Sequence, residues 1–342
     1  MTSRFERPVF IMAAPRSYST LLFQTLTQSG HLWSIGDESH HLIEQFPQLN
    51  PLQGGVDSNR LTADLLDTHL RHSVRDAFAA QLRDRDGRRM PADAARMVRL
   101  LEKTPKNALR IPFLDALFPD ALFIYLVRDP KENLSSIIDA WRSRRFVTYP
   151  TLRTAHGPWS LLLPPGWRDY VDRPLEEVAA FQWKSANHWI LEDLDNIPPA
   201  RRIVVNAAEL LQDPPQLVAK LCAFMGIELD DRLAAYLERP LPASYHTLSA
   251  PQENKWVRNA LQLERVWPDV GEMVARMNAF AGDRMPPLSG DLPPVTPSMM
   301  ECANRDHAPE GISWSNGGMP GRNHDCPCGS GQRYKACHGQ LR

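Results

Sequence analysis

The sequence predicts an α/β fold: a three-layer arrangement of a parallel β-sheet flanked by helices, with a small module appended at the C-terminus. Three observations carry this. Pro8 to Leu22 runs from an apolar segment through Pro15-Arg16 into hydroxyl residues and a leucine-rich segment, which reads as a buried strand, a tight loop and a helix start. Ala121 to Val127 is a continuous apolar run, as expected of a strand buried on both faces, and it ends at Arg128-Asp129-Pro130. Strand and helix patterns alternate along most of the chain, which is how a parallel sheet with crossover helices is written.

In order, residues 9–13 read as a strand and 19–29 as a helix, with Gly30 as its stop. Residues 61–84 read as an amphipathic helix with Leu65, Leu66, Leu70, Val74, Phe78 and Leu82 near one face. Residues 121–127 form a strand and 130–142 a helix, where Asp129 is placed to cap and Pro130 fits the first turn. Residues 144–174, rich in Pro, Trp and Tyr, read as a structured loop of the kind that shapes a pocket. A helix over 175–195, a strand over 202–206 and a helix over 214–225 ended by Gly226 follow. Residues 283–322 are rich in Pro and Gly without periodicity and read mostly as linker.

Two places look built for anions. After the first strand, Arg16 offers a fixed positive charge, and Ser17, Ser19 and Thr20 offer hydroxyls beside the free N–H groups of a helix start. The loop has neither the glycines nor the lysine of a Walker A motif, so ATP chemistry is a weak reading of it. After the strand at 121–127, Arg128 can make charge-assisted contacts, and Ser136, eight residues on, adds a hydroxyl.

These stretches resemble sulfotransferases that use 3′-phosphoadenosine 5′-phosphosulfate (PAPS). The family's 5′-phosphosulfate loop reads Pro-Lys/Arg-Ser-Gly-Thr/Ser-Thr, and Pro15 to Thr20 matches except at Tyr18, where glycine is usual. A non-glycine residue tolerates positive φ poorly, so a local departure of the loop backbone is expected there. Arg128-Asp129-Pro130 with Ser136 resembles the family's 3′-phosphate site, and Lys103-Thr104 resembles its Lys-Thr segment beside the sulfuryl group. Ser249 to Arg258 resembles the late loop that closes over the nucleotide, without the family's glycines, which makes Lys255 and Arg258 candidate phosphate contacts and leaves Trp256 either there or in the core. Val204 to Pro214 echoes a further family stretch but lacks its aromatic and arginine. The resemblance spans roughly residues 8–285 and implies the P-loop NTPase-like sulfotransferase fold, with PAPS as cosubstrate.

By that resemblance Arg16, Lys103 and the loop N–H groups stabilise the leaving phosphate and the sulfuryl oxygens. The histidine that cytosolic sulfotransferases place after Lys-Thr is replaced by Pro105. Tyrosylprotein sulfotransferases carry a catalytic glutamate after a similar Gly-Glu-Glu, which points to Glu38 in Gly36-Asp37-Glu38 as general base, with His40 or His41 next. A surface carboxylate or a helix cap is the plainer reading of Glu38. Trp141, Trp159, Trp167 and Tyr170 either shape an organic acceptor pocket or pack in the core.

The second strong signal is Cys326-Pro327-Cys328 followed by Cys337-His338, which gathers three of the five cysteines beside a histidine. Soft and borderline donors at this spacing suit tetrahedral Zn²⁺. The run resembles the SEC-C motif found at the end of the protein-export motor SecA, which implies structural zinc held by Cys326, Cys328, Cys337 and His338 and a docking role toward a protein partner. Cys222 and Cys302 stand alone as free thiols, Cys222 on a helix face. The expected division is a sulfotransferase domain over 1–285, a linker over 286–322 and the zinc module over 323–342.

Composition bounds the rest. A net charge of −1 gives no global pull toward nucleic acid or a membrane surface. No apolar run approaches the roughly 20 residues that span a bilayer, and the apolar stretch from Pro8 to Pro15 is too short for a signal peptide, which suggests the cytosol. A small-molecule acceptor is the expected partner. Two other readings stay open on the residues alone: a nucleotide-binding protein without turnover that acts through its zinc module, and a P-loop nucleotide kinase.

Overall fold

A computed structural model of the chain describes residues 5–91, 97–248 and 254–299. The first strand, β1 (Val9–Met12), leads through the loop 13–18 into helix α1 (Ser19–Leu26). This helix stops short of the expected 29, because Gln28 and Ser29 donate to carbonyls three residues back rather than four. An edge strand β2 (Leu32–Trp33), a short helix α2 (His40–Glu44) and helix α3 (Thr68–Gln81) follow. Helix α3 is shorter than the 61–84 that apolar spacing predicts. Asp67 caps it by accepting from the Leu70 N–H, so the helix starts there, and only a 3₁₀ turn at Ala63–Leu65 precedes it. Leu70, Val74 and Phe78, one turn apart, form its buried stripe.

Next come β3 (Arg99–Glu102), α4 (Ile111–Leu117), β4 (Leu122–Val127) and α5 (Pro130–Ser143). Asp129 caps α5 by accepting from the N–H groups of Lys131 and Glu132, and Pro130 occupies its first turn. The stretch expected to be a structured loop holds an antiparallel hairpin, β5 (Val147–Thr154) and β6 (Gly157–Ser160), and a 3₁₀ turn at Trp167–Tyr170. Helix α6 (Leu175–Asp195) packs beside it, and the Gln182 side-chain amide donates to the carbonyls of Ser160 and Leu162 while accepting from the Trp141 indole. β7 (Arg202–Asn206), α7 (Ala207–Gln212), α8 (Pro214–Met225), α9 (Asp231–Leu237) and α10 (Ala260–Ala281) complete the described chain. Asn206 and Glu209 form a capping box on α7, and Asp213 caps α8. The polar residues of that stretch are thus accounted for by local helix capping.

The sheet has five strands in the order β2-β3-β1-β4-β7, all parallel. Val9, Ile11, Leu122, Ile124 and Leu126 face α1 and the α7–α9 layer, and Phe10, Met12, Phe123, Tyr125 and Val127 face the larger layer built on α3 to α6 and α10. A strand covered on both sides reads as unbroken apolar sequence, which is why the run at 121–127 could be placed from sequence. The chain beyond α10 turns back onto it. Asn278 exchanges two hydrogen bonds with the backbone of Leu288, and the Trp267 indole donates to the Gly290 carbonyl. The stretch expected to be linker therefore begins bound to α10. No helix among the described residues is long and apolar enough to cross a membrane.

Candidate active site

Three neighbouring parallel strands deliver the residues singled out from sequence. Lys103 follows β3, the Arg16 loop follows β1, and Arg128 follows β4, so all three emerge at the C-terminal edge of the sheet around its central strand. Open α/β sheets bind ligands at this edge, where crossovers diverge and leave a crevice. A cavity of about 350 Å³ lies there. Arg16, Ser17, Tyr18, Ser19 and Thr20 line it, as do Glu38, His40, Arg128, Ser136 and Lys255. Lys103 stands behind the wall and reaches the site through Glu38. Arg258 and His41 are exposed and are not among the lining residues. Trp256 is fully buried in the core.

The loop is held in a demanding shape. Arg16 has φ of 66° and Tyr18 has φ of 63°, both left-handed. Tyr18 thus keeps the positive φ that a glycine adopts freely, at a cost of about 1–2 kcal/mol for a residue with a Cβ. Its ring lies under the guanidinium of Arg128 at 4.4 Å. Arg128 also donates from Nη1 to the Arg16 carbonyl at 2.7 Å. Asn133 of α5 closes the brace, donating from Nδ2 to the Pro15 carbonyl at 2.7 Å and accepting at Oδ1 from the Ser17 hydroxyl at 2.9 Å. No sequence motif pointed to Asn133; its signal was a polar residue on the sheet-facing side of α5, and only its contacts give it a role.

The end of the cavity lined by Arg16, Arg128 and Lys255 is rich in opposed cations. Burial first, and then the nearby charges of Arg128 and Arg145, pull the Arg16 guanidinium down to about 10. Burial also lowers Lys255, helped by Arg258 and Arg128. Nε of Arg16 is buried without a hydrogen-bond partner, while Nη1 donates to the His246 carbonyl at 2.9 Å and the guanidinium lies 4.5 Å from the Phe146 ring. Cations that depress one another in a partly buried cleft favour an anion between them.

The other end centres on Glu38. Lys103 donates from Nζ to Oε1 of Glu38 at 2.6 Å. Nε2 of His246 lies 3.8 Å from that same oxygen, and Nδ1 of His40 lies 3.6 Å from Oε2. Both imidazoles are held below their ordinary value, chiefly by burial, and His246 falls to about 4 with Lys103 and Arg16 adding to the effect. Deeper in, Lys106 contacts both oxygens of Glu44 at 2.8 Å, and Arg110 donates to Oε1 at 2.6 Å. Burial, together with the charge of Arg110, pulls Lys106 down to about 8 even against the pull of Glu44. His246 sits 230 residues from its partner Arg16, and nothing local in the sequence marks it.

The aromatic acceptor pocket suggested by Trp141, Trp159, Trp167 and Tyr170 is not formed. Trp141, Trp159 and Trp167 pack edge to face in the core, with ring centroids 5.5 Å apart in each pair, and Tyr170 stacks on Phe181. Their area is worth more buried against one another than lining a wet cleft. Phe146, Val147, Leu161 and Leu162 supply the apolar wall instead, from the hairpin and its flanks. Cys222 is a buried free thiol, raised to about 11 chiefly by burial. Cys302, Cys326, Cys328, Cys337 and His338 lie outside the described residues.

The model of the sulfotransferase family matches residues 8–231, and that of the SEC-C motif matches residues 322–340. The chain is 27% identical over 175 residues to the protein translocase subunit SecA of Afipia carboxidovorans, covering 51% of this chain and 16% of that protein. It is 27% identical over 243 residues to a putative protein-tyrosine sulfotransferase of Caenorhabditis briggsae, covering 70% of this chain and 72% of that one. Among solved structures, a sulfotransferase from Mycobacterium avium is 16% identical, with 83% of this chain and 79% of that chain covered and a TM-score of 0.49.

Proposed function

The chain belongs to the sulfotransferase family, and from that premise we propose that it moves a sulfuryl group from PAPS to a hydroxyl or amine of a small-molecule acceptor. The observation that carries the reading is the convergence of Arg16, Arg128 and Lys255 on one cavity that Glu38, the partner of Lys103, also lines. The unpartnered Nε of Arg16 and the mutual depression of neighbouring cations fit an anionic cosubstrate.

PAPS, when bound, supplies the sulfuryl group and the nucleotide that leaves. Arg128 and Ser136 hold the 3′-phosphate, and the loop from Arg16 to Thr20 cradles the 5′ side with its N–H groups and hydroxyls. Lys103, with 2% of its side chain exposed, exchanges Glu38 for the developing charge on the leaving oxygen. That exchange frees Glu38 to take the acceptor's proton. Positioning and charge carry the rest, as in phosphoryl transfer. Lys255 contributes to the phosphate site, and Arg258, which does not line the cavity, has no assigned contact there.

The SEC-C motif supplies a separate module. Its donor set of three cysteines and one histidine fits tetrahedral Zn²⁺, with Cys326, Cys328, Cys337 and His338 as ligands and a structural, protein-docking role.

Titration calorimetry tests the first reading. 3′-Phosphoadenosine 5′-phosphate (PAP) is expected to bind at least about tenfold more tightly than ATP with Mg²⁺, a difference of roughly 1.4 kcal/mol. The reverse order overturns it in favour of a nucleotide kinase.

A further inference from the structure

Two imidazoles flank Glu38, one at each carboxylate oxygen, and they differ in what lies behind them. Nδ1 of His40 is sealed from solvent and has no hydrogen-bond partner. His246 faces Oε1, the oxygen that also receives Lys103, and 36% of its side chain is exposed. Its position is fixed from both sides. The backbone carbonyl accepts from Nη1 of Arg16 at 2.9 Å, and the ring packs against Phe146 at 5.8 Å and Tyr245 at 4.4 Å. The charged groups acting on the ring are Lys103, Glu38, Arg16 and Asp37.

We propose that His246 is the proton relay of the transfer reaction, taking from Glu38 the proton that the acceptor gives up and releasing it to water. This rests on Glu38 being the base. As the bond from sulfur to the acceptor atom forms and the bond from sulfur to the phosphate oxygen breaks, the acceptor's proton moves to Glu38. Lys103 has by then turned to the leaving oxygen, so Oε1 keeps His246 as its neighbour. The proton crosses the 3.8 Å to Nε2 through one bridging water and goes out to solvent, and Glu38 returns to the carboxylate that pairs with Lys103. At neutral pH the ring is uncharged, because burial and two nearby cations oppose its protonation, so it has a lone pair to offer. His40 places its Nδ1 at the other oxygen, Oε2, 3.6 Å away, and so does not share the oxygen that Lys103 leaves. His246 thus acts through Glu38 and need not touch the donor.

The test uses the full chain. Release of PAP from PAPS is followed with phenol as acceptor and with water alone, in wild type, His246→Asn, His246→Gln and Glu38→Gln. Both His246 variants keep the backbone carbonyl that Arg16 uses. They are expected to lose about 10- to 100-fold in kcat, to bind PAP within about twofold of wild type by calorimetry, and to regain turnover when imidazole is added to the solution. A kcat within about twofold of wild type, or a loss that imidazole does not restore in a variant that binds PAP normally, overturns the relay. If Glu38→Gln is inactive and His246→Asn is not, the relay alone fails. If Glu38→Gln retains full turnover, or wild type turns over nothing, the base or the transferase reading fails and the relay with it.

Discussion

The guanidinium of Arg128 lies over the ring of Tyr18 at 4.4 Å, and the two residues come from loops after different strands, β4 and β1. The stack ties the two loops together and gives the left-handed Tyr18 a contact that glycine could not make. Relief of backbone strain in Tyr18→Gly, about 1–2 kcal/mol, is offset by loss of a stack of about 0.5–1 kcal/mol and by the greater freedom of glycine in the unfolded chain. Urea unfolding of Tyr18→Gly should therefore stay within about 1 kcal/mol of wild type. Tyr18→Val keeps the strain, adds a stiff β-branch and loses the stack, and should cost about 1–2 kcal/mol.

Arg128→Met removes the charge-assisted contact proposed for the nucleotide, worth about 1.5–3 kcal/mol. PAP affinity should fall by roughly 10- to 100-fold in calorimetry. Asn133→Ala removes the brace between Pro15 and Ser17 and leaves a buried carbonyl without its donor. It should lower both PAP affinity and stability, the latter by about 1–3 kcal/mol. If Asn133→Ala leaves both unchanged, the brace has no part in holding the loop.

Glu38 and Lys103 are coupled, so their single variants should not add. Glu38→Gln is expected to lower kcat by about 100-fold or more with PAP affinity nearly unchanged. Lys103→Met should lower kcat comparably, because it removes the charge proposed to meet the leaving oxygen. The double variant should lose far less than the product of the two single losses. Single-turnover PAP release measures this directly.

The histidines beside Glu38 give stability a pH dependence of known sign. His246 drops from 6.5 to about 4 on folding, and His40 is also lowered. Between those values the unfolded chain holds protons that the folded one refuses, so stability rises with pH across that window and is lost as pH falls toward the folded value. Both side chains are more than a third exposed, and solvent screening shrinks the effect. Urea titrations from pH 4 to 7 should show a shallower slope in His40→Asn/His246→Asn than in wild type.

The C-terminal motif should hold one zinc per chain by metal analysis, lost in Cys326→Ser/Cys328→Ser. A strong chelator should remove the metal without changing PAP affinity, since the proposed nucleotide site contains none of these residues. Loss of PAP binding on chelation would place the metal in the transferase site.

The sequence by itself determined the strands β1, β4 and β7, the starts of α1, α5, α6 and α8, and the loop at Arg16. A strand buried on both faces must be continuously apolar, and a helix start needs a cap such as Asp129 within one turn of it, so both signals are local. It also brought Arg16 and Arg128 to notice, because each follows such a strand, whereas Glu38 and Lys103 were singled out only by their resemblance to sulfotransferase motifs. Helix α10 and the edge strand β2 were not legible, since a two-residue strand has no period and α10 carries Pro268 inside it. Tertiary structure alone decided that Glu38 and Lys103 meet, that Asn133 locks the loop, and that the tryptophans belong to the core rather than the pocket. It alone carried His246 to Glu38 from the far side of the chain. Such contacts join residues separated by dozens to hundreds of positions, and they exist only once the sheet order has set which loops are neighbours.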